Sequence, residues 1–146
     1  MDLNFPVTQL QITKMEGELW LKDVVRKKWL RLTPEEWVRQ HLLKYFTEKL
    51  NIPANLIAVE SGIKYGKLKK RIDVLVRDRN GEVWLIAECK APFVKLSDDV
   101  ISQLAVYNSS LQAPYLVITN GMSHYIFSNK GSGYEKKTEW PTFPDL

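Results

Sequence analysis

The stretch from Lys70 to Lys90, KRIDVLVRDRNGEVWLIAECK, constrains the fold more than any other part of the chain. Asn80-Gly81 lies between two runs rich in Val, Ile, Leu and Trp, which is a β-hairpin signal: a two-residue type I′ turn needs positive φ at both central positions, and Asn and Gly tolerate it. With these two as the loop, Arg79 pairs with Glu82, and counting back along both strands places Asp73 opposite Glu88. Side chains alternate faces, so Arg71, Asp73, Glu88 and Lys90 share one face while Val74, Val76, Leu85, Ala87 and Cys89 share the other. A three-residue loop with a bulge would shift this pairing by one and send one acid to the opposite face.

Two opposed carboxylates have Cβ atoms roughly 5 Å apart and repel. A divalent cation reverses the sign of that effect. Mg²⁺ takes carboxylate oxygens, keeps several waters and binds together with substrate phosphates, which is the setting two acids at a strand end provide. The adjacent Lys90 is placed to hold a scissile phosphate or orient an attacking water. By pairing alone, an ordinary solvated hairpin face accounts for the same residues without any chemistry.

Asp73 followed by Glu88-Cys89-Lys90 resembles the D…(D/E)xK motif of the PD-(D/E)XK nuclease superfamily, with Ile72 where the motif name has Pro. Downstream, Gln103-Leu104-Ala105-Val106-Tyr107 is similar to the QxxxY motif of the RecB-type branch and of type I restriction endonuclease motor subunits. The text around these motifs, TPEEWVRQ, KRIDVLV, ECKAP and YLVITNG, resembles the N-terminal-domain-like family related to those restriction subunits, over about Arg26 to Phe127. The resemblance implies a restriction-endonuclease-like fold and metal-dependent cleavage of DNA. It implies that Asp73, Glu88 and the Cys89 carbonyl hold Mg²⁺ or Mn²⁺, that Lys90 positions or activates water, and that Gln103 and Tyr107 support the site. A glutamate on the first helix adds a carboxylate in some members, and Glu36 or Glu35 occupies the matching region.

At 146 residues the chain reads as one domain, large enough to bury roughly 68–70% of the surface its unfolded chain exposes. A single cysteine forbids an internal disulfide and points to a reducing cytoplasm. No apolar run approaches the roughly 20 residues of a transmembrane helix, so no membrane partner is expected. The net charge of +4 is mild, but its distribution is not even. Lys64, Lys67, Lys69, Lys70 and Arg71 lead directly into Asp73, and Arg26, Lys27, Lys28 and Arg31 form a second cluster. Basic runs beside an acidic centre suit a phosphodiester substrate, although such runs are commonly just solvated loops.

In chain order, Gln9 to Lys22 alternates around Met15-Glu16-Gly17 and predicts a small N-terminal hairpin within an extension over residues 1–25. Asp23 to Leu32 reads as a basic extended segment with Trp29 anchored in the core. Thr33-Pro34-Glu35-Glu36 predicts a helix start with Thr33 as N-cap, Pro34 at the first position and Glu36 completing a capping box. Apolar residues from Trp37 to Leu50 recur at helical spacing, with His41 on the packed side. Leu56 to Glu60 predicts a strand, Ser61 to Lys70 a mobile basic loop, and Ser97 the cap of a second helix on which Gln103 and Tyr107 stand at i and i+4. Tyr115 to Thr119 predicts a strand buried on both faces and parallel to the hairpin's second strand, and His124 to Ser128 another. The core spans 26–128, and residues 129–146 read as a tail that packs locally or frays.

The expected architecture is α/β, or α+β: a mixed β-sheet flanked by helices, with an added N-terminal hairpin. The expected function is a Mg²⁺-dependent DNA endonuclease. A non-catalytic DNA-binding or assembly module on the same fold is the alternative of a different class. The chain has no Gly-rich Walker loop, so a motor or restriction-modification subunit is an expected partner, and a homodimer would supply two sites for a double-strand cut.

Overall fold

The computed structural model describes residues 2–65 and 68–145, with the main chain alone described over 61–65 and 68–70. A three-stranded antiparallel sheet comes first: β1 (Ile12–Met15), β2 (Glu18–Lys22) and β3 (Trp29–Arg31). Helix α1 (Pro34–Glu48) follows, then β4 (Ile57–Tyr65), β5 (Leu68–Arg77), β6 (Val83–Cys89), α2 (Asp98–Leu111), β7 (Tyr115–Thr119), β8 (His124–Asn129) and β9 (Tyr134–Lys137). The last six strands form one mixed sheet in sequence order, in which only β6 and β7 run parallel, joined by the crossover through α2.

The helices cover opposite faces of this sheet. Val38, Leu42, Leu43 and Phe46 of α1 pack with Val74, Val76, Leu85, Ala87, Cys89 and Val117. On the other face Leu104 of α2 packs with Ile72, Leu75, Ile86, Leu116 and Ile118. From Leu85 to Ala87 in β6 and from Tyr115 to Ile118 in β7, consecutive residues enter different clusters, which is why both strands read as unbroken apolar runs. At the start of α1, Thr33 Oγ1 accepts the Glu36 amide at 3.0 Å, as its cap signature requires. Ser97 occupies the N-cap of α2 with extended backbone but makes no side-chain cap bond. The α2 C-terminus is fixed by buried Asn108, which accepts from the Ala113 amide at 2.9 Å and donates to its carbonyl at 3.0 Å.

The central hairpin does not use the two-residue turn. Asp78 N donates to Glu82 O at 2.8 Å, so residues 79–81 form a three-residue loop with Gly81 left-handed at φ 83°. That loop alone would displace the register by one. A second irregularity offsets it: Arg77 pairs with Val83 but Val76 pairs with Leu85, leaving Trp84 as an extra residue on β6. From there Leu75 faces Ile86 and Val74 faces Ala87, and one step on stand Asp73 and Glu88, as the simple count predicts.

Four expectations are corrected. Residues 61–65 and 68–70 are strand rather than loop, because β4 pairs with β5 from Ile57↔Val76 out to Tyr65↔Leu68. Part of the C-terminal segment is strand β9, and Phe143 beyond it is buried in the α1-side cluster. Trp29 is 40% exposed, because it lies in β3 of the small sheet rather than under the helices. Helix α1 ends at Glu48, two residues before Leu50.

The N-terminal arm returns across α1. Phe5 lies against His41, Tyr45 and His124, and His124 Nε2 donates to the Asn4 carbonyl at 2.6 Å while Nδ1 accepts from Thr119 Oγ1 at 2.7 Å. Burial pushes the pKa of both histidines below the ordinary value, His41 despite its bond to the Trp37 carbonyl and His124 despite its bond to Asn4. A depressed histidine pKa contributes stability that is fully present above the unfolded value near 6.5 and declines as pH falls through the folded value. The urea midpoint is therefore expected to fall between pH 7.5 and pH 5.5, and the fall to shrink in His124→Gln; an unchanged midpoint across that window would contradict this packing. Gly81→Ala, with no neighbour within 4 Å of the added Cβ, should cost about 1 kcal/mol by urea denaturation through its left-handed backbone alone.

Candidate active site

Strand β6 carries its alternation to the strand end. Ile86 packs on the α2 side and Ala87 and Cys89 on the α1 side, so Glu88 faces α2. Lys90 N donates to the Thr119 carbonyl at 2.8 Å, extending the parallel pairing one residue past β6 before Pro92 ends it. Glu88 and Lys90 thereby meet Val100, Gln103, Leu104 and Tyr107 around a hollow of about 10 Å³, close to the volume a single water-sized guest requires. Lys90 Nζ lies 3.6 Å from Glu88 Oε1. The i, i+4 spacing on α2 is what presents Gln103 and Tyr107 to the same place.

Asp73 enters differently. Its Oδ2 accepts the Cys89 amide at 2.7 Å, and Arg39 Nη1 from α1 lies 3.6 Å from its Oδ1. Ile72 packs on the α2 side and Val74 on the α1 side although one residue separates them, so the facing of β5 switches at Asp73. The partner strand is irregular at the same point: Val59 pairs with Val74 and Ser61 with Ile72, while Glu60 between them has left-handed backbone at φ 54°. The two acids do not share one flat face. The expectation that they lie on one face is corrected: Arg39 of α1 reaches Asp73, which holds the Cys89 amide, while residues of α2 line Glu88.

Behind Asp73 lies a polar network at the α1 side. Glu36 accepts from Arg39 Nε at 2.9 Å, from Arg39 Nη2 and from Gln40 Nε2 at 2.8 Å. Arg39 Nη2 also reaches Glu60 at 3.4 Å, and Arg26 bridges Glu60 at 3.1 Å to fully buried Asp23 at 2.9 Å. Burial raises the Glu60 carboxyl, but Arg39, Arg26 and Arg71 outweigh it and hold the group below the usual carboxylate range. Burial likewise opposes the charge on Arg39, yet Glu36, Asp73 and Glu60 keep it above even the ordinary guanidinium value. Its positive charge is permanent.

Glu36 is thus engaged by Arg39 and Gln40, and its carboxylate belongs to the network rather than to the hollow. Glu35, one residue earlier, is solvent-exposed, and its carboxyl is pushed up by burial of its inner part and by Asp73, while Arg39 and Lys90 pull the other way. It lies within electrostatic range of both Asp73 and Lys90. Burial, with Asp73 next, pushes the Cys89 thiol well above its ordinary value, so only the main chain of this residue is available to chemistry.

Of the expected nucleic-acid contacts, Arg71 is 75% exposed in its side chain and lies 3.3 Å from Glu60. The side chains of Lys64, Lys69 and Lys70 and the whole of Lys67 lie outside the described residues. In the second basic cluster Arg26 and Arg31 are already in ion pairs, with Asp23 and Glu60 and with Glu18. Sequence reasoning missed Arg39; its signal was the Glu36–Arg39 spacing of three on one helix, normally read as a surface pair.

Among the described residues no group of three or more His, Cys, Asp or Glu is disposed to hold a metal. Two hard carboxylates at a strand end suit Mg²⁺ rather than a softer ion, since Mg²⁺ commonly uses one or two protein carboxylates and completes its shell with water and phosphate. The donor set fits such an ion. Among the described residues no helix is long and apolar enough to cross a membrane.

The structure is similar to a fragment assigned to an HsdR subunit of a type I restriction enzyme from Vibrio vulnificus YJ016, with a TM-score of 0.56 and 17% sequence identity. The match covers 76% of this chain and 24% of that one, so this chain spans about a quarter of that chain's length. At that identity the likeness concerns the fold. No curated protein matches the chain in sequence. The family model for the type I restriction enzyme R protein N terminus matches residues 34–144, which include both helices, the whole six-stranded sheet and every residue around the hollow, and the chain belongs to that family.

Proposed function

We propose that this domain is a metal-dependent nuclease that hydrolyses phosphodiester bonds in DNA, working within a restriction-modification assembly. The observation that carries the reading is the convergence of Glu88, Lys90, Gln103 and Tyr107 on one hollow at the strand end where the Cys89 amide holds Asp73. A pure packing role gives no reason to gather these side chains at a strand end.

Asp73 and Glu88 would hold Mg²⁺ or Mn²⁺, with the Cys89 carbonyl as a further oxygen donor. When bound, the ion would supply Lewis acidity and a water of lowered pKa. Lys90, whose ammonium pairs with Glu88, is placed to hold the phosphate oxygen or to orient water for in-line attack. Gln103 orients Lys90 and the water from the α2 side, and Tyr107 braces Gln103 and meets the DNA backbone. Glu35 rather than Glu36 takes the part of the helix carboxylate, since Glu36 is engaged by Arg39 and Gln40 while exposed Glu35 lies within electrostatic range of Asp73 and Lys90. Exposed Arg71 and the lysines before it draw the phosphates in.

Cleavage of supercoiled plasmid and of single-stranded DNA in Mg²⁺ or Mn²⁺ tests this. Asp73→Ala and Lys90→Ala should each reduce the metal-dependent rate by at least about 100-fold with circular dichroism unchanged. Gln103→Ala should lower it about 10- to 100-fold, the range for residues that orient metal-site groups. If the parent binds DNA with a steep salt dependence yet cuts neither substrate, the non-catalytic binding or assembly module replaces this reading.

A further inference from the structure

We propose that Arg39 is the resting counter-ion of Asp73 and sets the affinity of the strand-end site for a divalent cation below what its carboxylates alone would give. The inference rests on the metal-binding reading of Asp73 and Glu88. Its basis is the placement of a permanent, buried positive charge 3.6 Å from the carboxylate that would ligate the ion.

Arg39 is not free to leave when a cation arrives. Two of its nitrogens are bound by Glu36, one of them also reaches Glu60, and its side chain is 8% exposed. A cation on Asp73 must therefore coexist with a fixed guanidinium a few ångströms away, and the two repel in a partly desolvated site. The surroundings keep that repulsion from abolishing binding. Asp23, Glu36, Glu60 and Asp73 set four carboxylates against the two guanidiniums of Arg26 and Arg39, leaving two negative charges in the cluster. Arg71 also approaches Glu60, but from an exposed position where solvent screens it. Arg39 thus orients Asp73 in the metal-free protein without neutralising the site. A weak intrinsic site of this kind retains its ion only when a substrate phosphate adds its own oxygens, which ties metal loading to substrate.

The test is Mn²⁺ binding in the absence of DNA, followed by loss of the free-ion electron paramagnetic resonance signal. The parent should bind weakly, and Asp73→Asn should abolish that binding. Arg39→Gln should tighten binding by about tenfold or more, the scale expected when one unit charge a few ångströms away is removed. If Arg39→Gln does not fold, the double variant Glu36→Gln/Arg39→Gln removes one buried anion together with the cation, and is compared with Glu36→Gln alone; the same tightening is expected. Unchanged or weakened Mn²⁺ affinity in a folded Arg39 variant overturns the inference and leaves Arg39 as an ion-pair residue of the scaffold. Absence of any Asp73-dependent binding in the parent overturns the metal reading itself, and this inference with it.

Discussion

The hydrogen bond from the Cys89 amide to the Asp73 carboxylate is where the β5–β6 ladder stops and the candidate site starts. Up to Val74 and Ala87 the two strands exchange ordinary main-chain pairing and bury their side chains on both faces. Beyond that step a side chain takes over as acceptor, and the facing of β5 switches. The other described elements of the candidate site are arranged around this point. Helix α1 approaches Asp73 with Arg39, helix α2 walls Glu88 with Gln103 and Tyr107, and β7 extends its pairing to Lys90.

Such a strand end is costly to build. Glu60 adopts a left-handed backbone, which for an L-residue costs about 1–2 kcal/mol, and it does so opposite the place where β5 is irregular. Strain of this kind persists where surrounding contacts over-determine it. Here Arg26, Arg39 and Arg71 all reach the Glu60 carboxylate. Asp23 adds a second anchor, accepting from the amides of Val25 and Arg26 at 2.8 and 2.7 Å, and so couples the small N-terminal sheet to α1 through Gln40. The extension before α1 is therefore part of the machinery that positions Asp73.

What was legible in the sequence was what local chemistry decides. Thr33-Pro34 starts α1 because capping and a fixed proline φ act within one turn. The apolar run of β7 forecast a strand buried on both faces, and the spacing of Gln103 and Tyr107 forecast a shared neighbour. The hairpin register emerged through two departures that offset each other: Asn80-Gly81 sits in a three-residue loop, and Trp84 bulges, meeting Tyr115 and Phe143 edge-on. What was not legible depends on distant partners. Lys64, Lys69 and Lys70 look like loop by composition, and their strand pairing comes from the β4–β5 arm as a whole. Strand β9 is exposed throughout and has no apolar alternation to announce it. Glu36 and Arg39 have the spacing of a solvent-facing pair, and the turn after β2, through Asp23 and Val24 on Gln40 and Arg26 on Glu60, joins them into a buried network.

The proposed function requires a divalent cation at the strand end formed by Asp73, Glu88 and Cys89. The most direct measurement is a ¹H–¹⁵N correlation spectrum of the isotopically labelled protein titrated with substoichiometric Mn²⁺, because paramagnetic broadening reports proximity without requiring turnover. The amides of Asp73, Glu88, Cys89 and Lys90 should broaden first, followed by those of Gln103 and its neighbours on α2, while β8 and β9 remain sharp. Broadening centred elsewhere, for instance on the acidic first turn of α2 at Asp98 and Asp99, or no selective broadening at all, would contradict it.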